Sequence, residues 1–485
     1  MPSKSGATVS LCLIVRNEEK NLRDCLTPVS SLFDEIIIVD TGSTDRTRDI
    51  AREFTGKVHE FRWADDFAAA RNESLRHAQG DWIFWLDADD RFPPRDACLL
   101  QSLIEGLGKK KQAYLITTMC PPQFECEGVR HLSHFRLFRR DPAIRWKGRV
   151  HEQLRPSPQE LGFEVRSHDL QILHTGYADS SQQIKKAQRD LRLLRMDFAA
   201  DPDDLSTTLH LALASARVSN FSEAKKYLRI LEAREPSEEN WRREVYKLLT
   251  EVSLKTGECR EALQYADKGL ATFPQDAHLL YGRAQALYEM DAYEACVETL
   301  LHLRNLPEPQ NGFGISLSDV PTKWAPLLLA DAWREQGKSQ QSIDLLESIL
   351  KSFPGDIRIM HSLGLTYLRA GHRTSLLKLR QDMAPLPQGE VFSLLLLISE
   401  KLIFRELANL EEPLERLISL APQMAQPRIL RVEYLCRIRS APEALLAACR
   451  DALRLCPGHP AILARAAQIE KSLEQSAGSL VQAKR

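Results

Sequence analysis

The sequence predicts an α/β domain with a Rossmann-like, mostly parallel sheet, followed by an all-α solenoid. Three observations carry this. Apolar runs of strand length each stop at acidic or polar residues, helical periodicity fills the intervals, and near residue 180 strand-like runs give way to helical patterning punctuated by evenly spaced prolines. The expected domains are residues 1–180 and 181–485.

The first run, Thr8–Val15, ends at Arg16, Asn17, Glu18 and Glu19, ahead of a helical pattern through Leu22, Cys25 and Leu26. Glu35–Val39 is the second, closed by Asp40–Asp45. Trp82–Leu86 is the third and stops at Asp87, Ala88, Asp89 and Asp90. Strands buried on both faces read as continuous apolar runs, and alternation with helices implies a parallel sheet whose ligand crevice lies at the carboxyl ends. Asn17, Glu18, Asp40, Asp87 and Asp89 are therefore expected in one crevice. Carboxylates crowded at a strand end repel one another and resist desolvation. A divalent cation relieves both costs, and hard Mg²⁺ or Mn²⁺ takes such oxygen ligands. The plainer alternative is an acidic turn after a buried strand.

Beyond this motif, the strand-like Phe135–Phe138 precedes Ile144–Glu152, and Ile172–Tyr177 follows with His174. Arg136, Arg139, Arg145, Lys147 and Arg149 form a basic stretch whose default reading is a solvated edge. His151-Glu152 does not open a zinc-protease motif, because Arg155 stands where the second histidine is needed.

Four blocks, Ser10–Glu19, Glu35–Thr47, Asp66–Asn72 and Trp85–Asp90, resemble in this order the family-two nucleotide-sugar glycosyltransferases, over roughly the first 175 residues. The resemblance implies one nucleotide-binding domain of the GT-A fold in which Asn17, Glu18 and Asp40 hold the nucleoside. It places Asp87 near the ribose and Asp89 on Mn²⁺ or Mg²⁺, with a uridine-linked sugar as the expected donor. Carboxylates accept hydrogen bonds from ribose hydroxyls and the uracil N–H, although Asp40 is also well placed to bond the turn after it. Arg71 is grouped with the nucleotide-sugar contacts as a brace of the crevice that could pair with an aspartate, a helix-surface arginine being the default reading. His151 and His174 are candidates to complete the metal site or to bond the diphosphate. Inverting transfer in one step needs a single carboxylate to take the acceptor proton. Glu152 is the first candidate; Asp90 is its rival, alternatively tied to the cation or to a helix beginning at Pro93-Pro94.

Two other classes compete. A non-catalytic repeat scaffold with a relic transferase domain is expected to have lost one of Asp40, Asp87, Asp89 or Glu152, and all four are present. A phosphohydrolase using Asp87 as nucleophile wants threonine or valine where this chain has Arg91.

Past residue 180, prolines at 236, 274, 307, 354, 387, 422 and 457 close helical segments at intervals near 34 residues, with a longer gap around Gly312, Gly314 and Pro321. Gly257–Ala262 before Phe273-Pro274 matches Gly337–Ser342 before Phe353-Pro354. This resembles tetratricopeptide repeats, six or seven helical hairpins with small residues where helices cross. The resemblance implies a peptide or protein acceptor recruited by the array, with a lipopolysaccharide or cell-surface glycan as the alternative, and self-association through the repeats is a further expectation. Removing residues beyond about 185 is expected to spare donor hydrolysis and to abolish transfer to the acceptor.

With a formal net charge of −1 over 485 residues, the chain exerts no long-range pull on nucleic acid or anionic lipid. No stretch reaches membrane-spanning length, Leu394–Ile398 being far too short, and the opening residues lack the apolar core of a secretion signal. Ten cysteines without a Cys-x-x-Cys pair read as reduced thiols of a cytoplasmic protein.

Overall fold

The computed structural model describes residues 6–120, 130–175, 180–234, 239–306 and 320–482; Gly176, Tyr177, Pro236, Pro307, Gly312 and Gly314 lie outside them. The amino-terminal elements are β1 (Val9–Val15), α1 (Leu22–Leu26), β2 (Glu35–Asp40), α2 (Thr47–Phe54), β3 (Val58–Glu60), α3 (Phe67–His77) and β4 (Trp82–Asp87). They continue as β5 (Asp90–Arg91), α4 (Pro94–Glu105), β6 (Gln112–Cys120), β7 (Arg130–Arg139), β8 (Trp146–Lys147), β9 (Gln153–Leu154) and β10 (Glu164–His174).

Eight strands join in the order β3-β2-β1-β4-β7-β6-β10-β5, and β8 pairs separately with β9. The half built from β3, β2, β1 and β4 is parallel, as expected. The other half is not: β7 enters antiparallel to both β4 and β6, and β5 antiparallel to β10, so the sheet is mixed. Alternate residues of the apolar runs go to opposite faces. Leu11, Leu13, Ile36, Ile38, Phe84 and Leu86 pack with Leu22, Leu26 and Leu100 on one side, whereas Cys12, Ile37, Ile83, Trp85 and Phe138 meet Ala68, Trp146 and Phe163 on the other. Burial on both faces is the physical reason that these strands show no polar alternation.

Helices take over after His174. One compact unit comprises Met1–Asp291 with Asn305–Pro321, and so contains the sheet together with α5 (Ser180–Ala200), α6 (Leu205–Arg217), α7 (Phe221–Ala233), α8 (Glu239–Lys255), α9 (Cys259–Thr272) and α10 (Ala277–Glu289). The other unit holds α11 (Tyr293–Arg304), α12 (Ala325–Glu335), α13 (Ser339–Ser352), α14 (Ile357–Ala370), α15 (Arg373–Met383), α16 (Gly389–Ile403), α17 (Glu411–Leu420), α18 (Ala425–Arg437), α19 (Pro442–Leu455) and α20 (Pro460–Gln482). The prolines act as expected at four places, where α9, α13, α17 and α19 stop two residues before Pro274, Pro354, Pro422 and Pro457; α15 stops earlier, ahead of Pro385 rather than Pro387. An aspartate then caps the next helix, Asp276 accepting the N–H of Leu279 at 2.8 Å and Asp356 that of Arg358 at 3.0 Å. Among the described residues no helix is long and apolar enough to cross a membrane, and the nine described cysteines are all free thiols.

Candidate active site

Strand register builds the crevice. Val15 at the end of β1 pairs with Asp40 on one side, and Ile14 with Asp87 on the other, so the two carboxylates flank one strand end. The loop after β1 is tied to the loop after β2. Asn17, in the left-handed region at φ 55°, accepts the N–H of Thr44 at 2.8 Å through its Oδ1 and donates its own N–H to Ser43 Oγ at 3.0 Å. Its side-chain carbonyl thus ties the two loops together. Asp40 divides its oxygens. Oδ1 accepts the N–H groups of Gly42 and Ser43, both at 3.0 Å, which is the turn role, while Oδ2 is buried without a hydrogen-bond partner. Burial raises the Glu18 carboxyl above its usual range despite the Asn21 side-chain amide, with the charges of Asp89 and Asp87 pushing the same way.

The acidic end is assembled by the short β5–β10 ladder, which sets His174 opposite Asp90. Ligand atoms of Asp87, Asp89, Asp90 and His174 then lie within 4.8 Å of one another. Asp90 is fully buried and spent on structure. Its Oδ2 accepts the Asp87 N–H and an Arg136 guanidinium N–H, each at 2.9 Å, and its Oδ1 stands 3.0 Å from His174 Nδ1. Both oxygens of Asp90, expected as the rival base, are thus engaged by protein groups.

Asp87 and Asp89 differ in charge environment. Burial alone would raise Asp87, but Arg71, Arg136 and His174 outweigh it and hold the carboxyl well below the usual range. For Asp89, burial and the neighbouring Asp87 and Asp90 charges prevail over His174 and raise it. His174 is raised in turn: burial opposes its charge, but Asp90, Asp89 and Asp87 favour it. Proton affinity gathers where negative charge is concentrated, and oxygen donors with one imidazole suit Mn²⁺ or Mg²⁺ in that place. Asp87, Asp89 and His174 are the residues that would hold the ion.

Beside this cluster Arg71 joins two carboxylates. Its Nε donates to Glu152 Oε1 at 2.5 Å and an Nη to Asp87 Oδ1 at 2.7 Å. Its guanidinium lies over the rings of Trp85 at 4.6 Å and Trp146 at 5.1 Å. Arg71 is 7% exposed, so the default reading of a helix-surface arginine is corrected: its partners are the two carboxylates just named. His151 is not brought to the acidic cluster; its ring stacks on His210 with centroids 4.5 Å apart. Sequence reasoning missed Arg136, read as a solvated edge. It is 1% exposed, lies 3.8 Å over Trp85 and pairs with Asp90. The signal was there in Phe135–Phe138: an arginine inside an apolar strand needs a buried counter-charge.

Comparison with known proteins agrees. Residues 10–148 match the model of glycosyl transferase family 2. A TPR repeat-containing protein of Synechococcus elongatus is 33% identical over 231 residues, 46% of this chain and 56% of that protein. The SPbeta prophage-derived glycosyltransferase SunS of Bacillus subtilis is 30% identical over 202 residues, 41% of this chain and 46% of that one. The chain thus spans about half the length of these relatives. Among solved structures, a tetratricopeptide repeat protein from Parabacteroides merdae covers 53% of this chain and 96% of its own, at 13% identity and a TM-score of 0.43. Residues 10–148 of the chain thus match glycosyl transferase family 2, and the described residues beyond His174 form successive helices.

Proposed function

We propose that the chain transfers a sugar from a nucleoside diphosphate donor, uridine-linked in our reading, to an acceptor with inversion at the anomeric carbon, assisted by Mn²⁺ or Mg²⁺. The observation that carries the reading is the convergence of Asp87, Asp89 and His174 at the carboxyl ends of parallel strands, with Glu152 held beside them by Arg71. A bound ion would supply positive charge against the departing diphosphate.

The chain's own residues supply the rest. Asp40 Oδ2 and the Glu18 carboxylate offer acceptors to the nucleoside, with Asp87 near the ribose. Arg71 occupies Glu152 Oε1, and the second oxygen is left for the acceptor's proton. A positioned base contributes about 10²- to 10⁴-fold in rate. In this reading residues 1–180 form the transferase domain and residues 181–485 the array that recruits a peptide or protein acceptor, in the cytoplasm.

A panel of nucleotide sugars with and without Mn²⁺, read by thermal shift, tests the reading. A donor at a hundred times its dissociation constant adds about 2.7 kcal/mol of stability. Asp89→Asn is expected to remove the metal-dependent part of the shift while leaving the metal-free melting temperature near that of the parent. A metal-dependent shift as large in Asp89→Asn as in the parent would sink it.

A further inference from the structure

The segment bearing Glu152 is gripped from the helical side. The Arg149 N–H donates to Asp197 Oδ2 at 2.7 Å, and the Arg149 guanidinium lies 3.2 Å from Asp197 Oδ1. Val150 is buried in one cluster with Leu191, Leu194 and Leu211. His151 stacks nearly parallel on His210, 12° between ring planes. Both Gly148 (φ 98°) and His151 (φ 53°) adopt left-handed backbone. A non-glycine residue keeps that conformation only where its surroundings over-determine it.

The same helix holds the partner of Glu152. Arg192 on α5 pairs with both oxygens of Asp65, at 2.8 and 2.7 Å, just ahead of α3, the helix that carries Arg71. The Phe67 N–H that begins α3 donates to Arg149 O at 2.9 Å. Both ends of the Arg71–Glu152 pair therefore rest on α5.

We propose that Asp197 and His210, on the first two helices after the sheet, are positioning residues that hold Glu152 in register with Arg71, so that α5 and α6 belong to the catalytic unit. This rests on the reading of Glu152 as the base. It reverses the expectation that donor turnover survives loss of everything beyond residue 185, since Asp197 and His210 would go with it.

Full-length variants test it, with hydrolysis of UDP-glucose and UDP-N-acetylglucosamine in Mn²⁺ as the turnover assay and UDP·Mn²⁺ affinity as the control for an intact donor site. Asp197→Ala and His210→Ala are expected to lower kcat by about 10- to 100-fold, the scale of a small misplacement of a reacting group, with UDP affinity unchanged. His210→Phe, which keeps the stacked ring, is expected to recover most of the rate. In a Glu152→Gln background Asp197→Ala should cost nothing further, because it acts through Glu152. Parental kcat in both alanine variants, or losses that multiply with that of Glu152→Gln, would overturn the proposal alone. Parental kcat in Glu152→Gln itself would instead remove the base assignment, and the proposal with it. Should Asp197→Ala fail to fold, the contrast between His210→Ala and His210→Phe decides.

Discussion

Arg136 and Asp90 form an ion pair at 2.9 Å with side chains 2% and 0% exposed. The pair is a keystone for its neighbours: Arg136 also donates to Thr118 Oγ1 at 3.1 Å, while Asp90 fixes the Asp87 main chain and His174. Arg136→Met removes the guanidinium and leaves the buried Asp90 carboxylate only the Asp87 N–H and His174. The expected loss is about 3 to 5 kcal/mol in urea denaturation. Arg136→Met combined with Asp90→Asn should recover part of it, because the double variant buries no uncompensated charge. A double variant no more stable than the single one would mean that the cost lies in packing against Trp85 instead.

Acid sensitivity has a separate source in Glu35. Burial alone would raise this carboxyl, but Lys57, Ser10 Oγ and the N–H groups of Gln79 and Gly80 outweigh it and hold it to about 2. A lowered folded value means that the unfolded chain binds more protons between the ordinary value of 4.5 and about 2. The stabilisation is therefore complete above about pH 4.5 and is lost as the pH falls toward 2. Its size is on the order of 2 kcal/mol after discounting for solvent on the Lys57 side. Urea denaturation of the parent and Glu35→Gln at pH 7, 4 and 3 is expected to show a gap that narrows with acidification; a constant gap would rule this out.

Arg71 offers a sharper test of geometry. Lysine keeps the charge but presents a single ammonium, which does not reproduce the two-headed contact with Asp87 and Glu152 or the place of the guanidinium beside the rings of Trp85 and Trp146. Arg71→Lys is expected to fold and to lose about 10- to 100-fold in kcat for donor turnover. If the lysine variant turns over like the parent, charge alone suffices and the fork has no role in placing Glu152.

What the sequence made legible is local. Asp87 and Asp89 stand out because an apolar strand stops abruptly at them, and the helix ends stand out because proline lacks the N–H needed to continue. What it hid depends on distant pairings. Arg136 reads as one of five neighbouring cations until β7 is placed between β4 and β6, which turns its side chain inward toward Asp90. His151 looks like a metal candidate until α6 brings His210 against its ring. Asp40 shows the middle case: its turn bonds follow from the residues after it, but the unpartnered Oδ2 appears only once the strand end is buried.

Close approach of repeat helices is tested at Gly282 on α10. A Cβ added there would stand 2.7 Å from Thr250 Cγ2 on α8, inside van der Waals contact. Thr250 has little freedom to yield, being 2% exposed with its hydroxyl donating to Tyr246 O at 2.8 Å. Gly282→Ala gains about 1 kcal/mol of helix propensity, which in an uncrowded helix would stabilise. Overpacking in a filled core costs about 1 to 3 kcal/mol, so the net change should be destabilising or near zero. The crowding is separable from the propensity gain. Thr250→Ser keeps the hydroxyl and deletes Cγ2, so it leaves a small gap in the parent and makes room in Gly282→Ala. Thermal or urea denaturation of the four proteins is therefore expected to give a favourable coupling of at least about 1 kcal/mol between the two substitutions. Simple additivity would show that α8 and α10 move apart freely and that glycine is not what sets their separation.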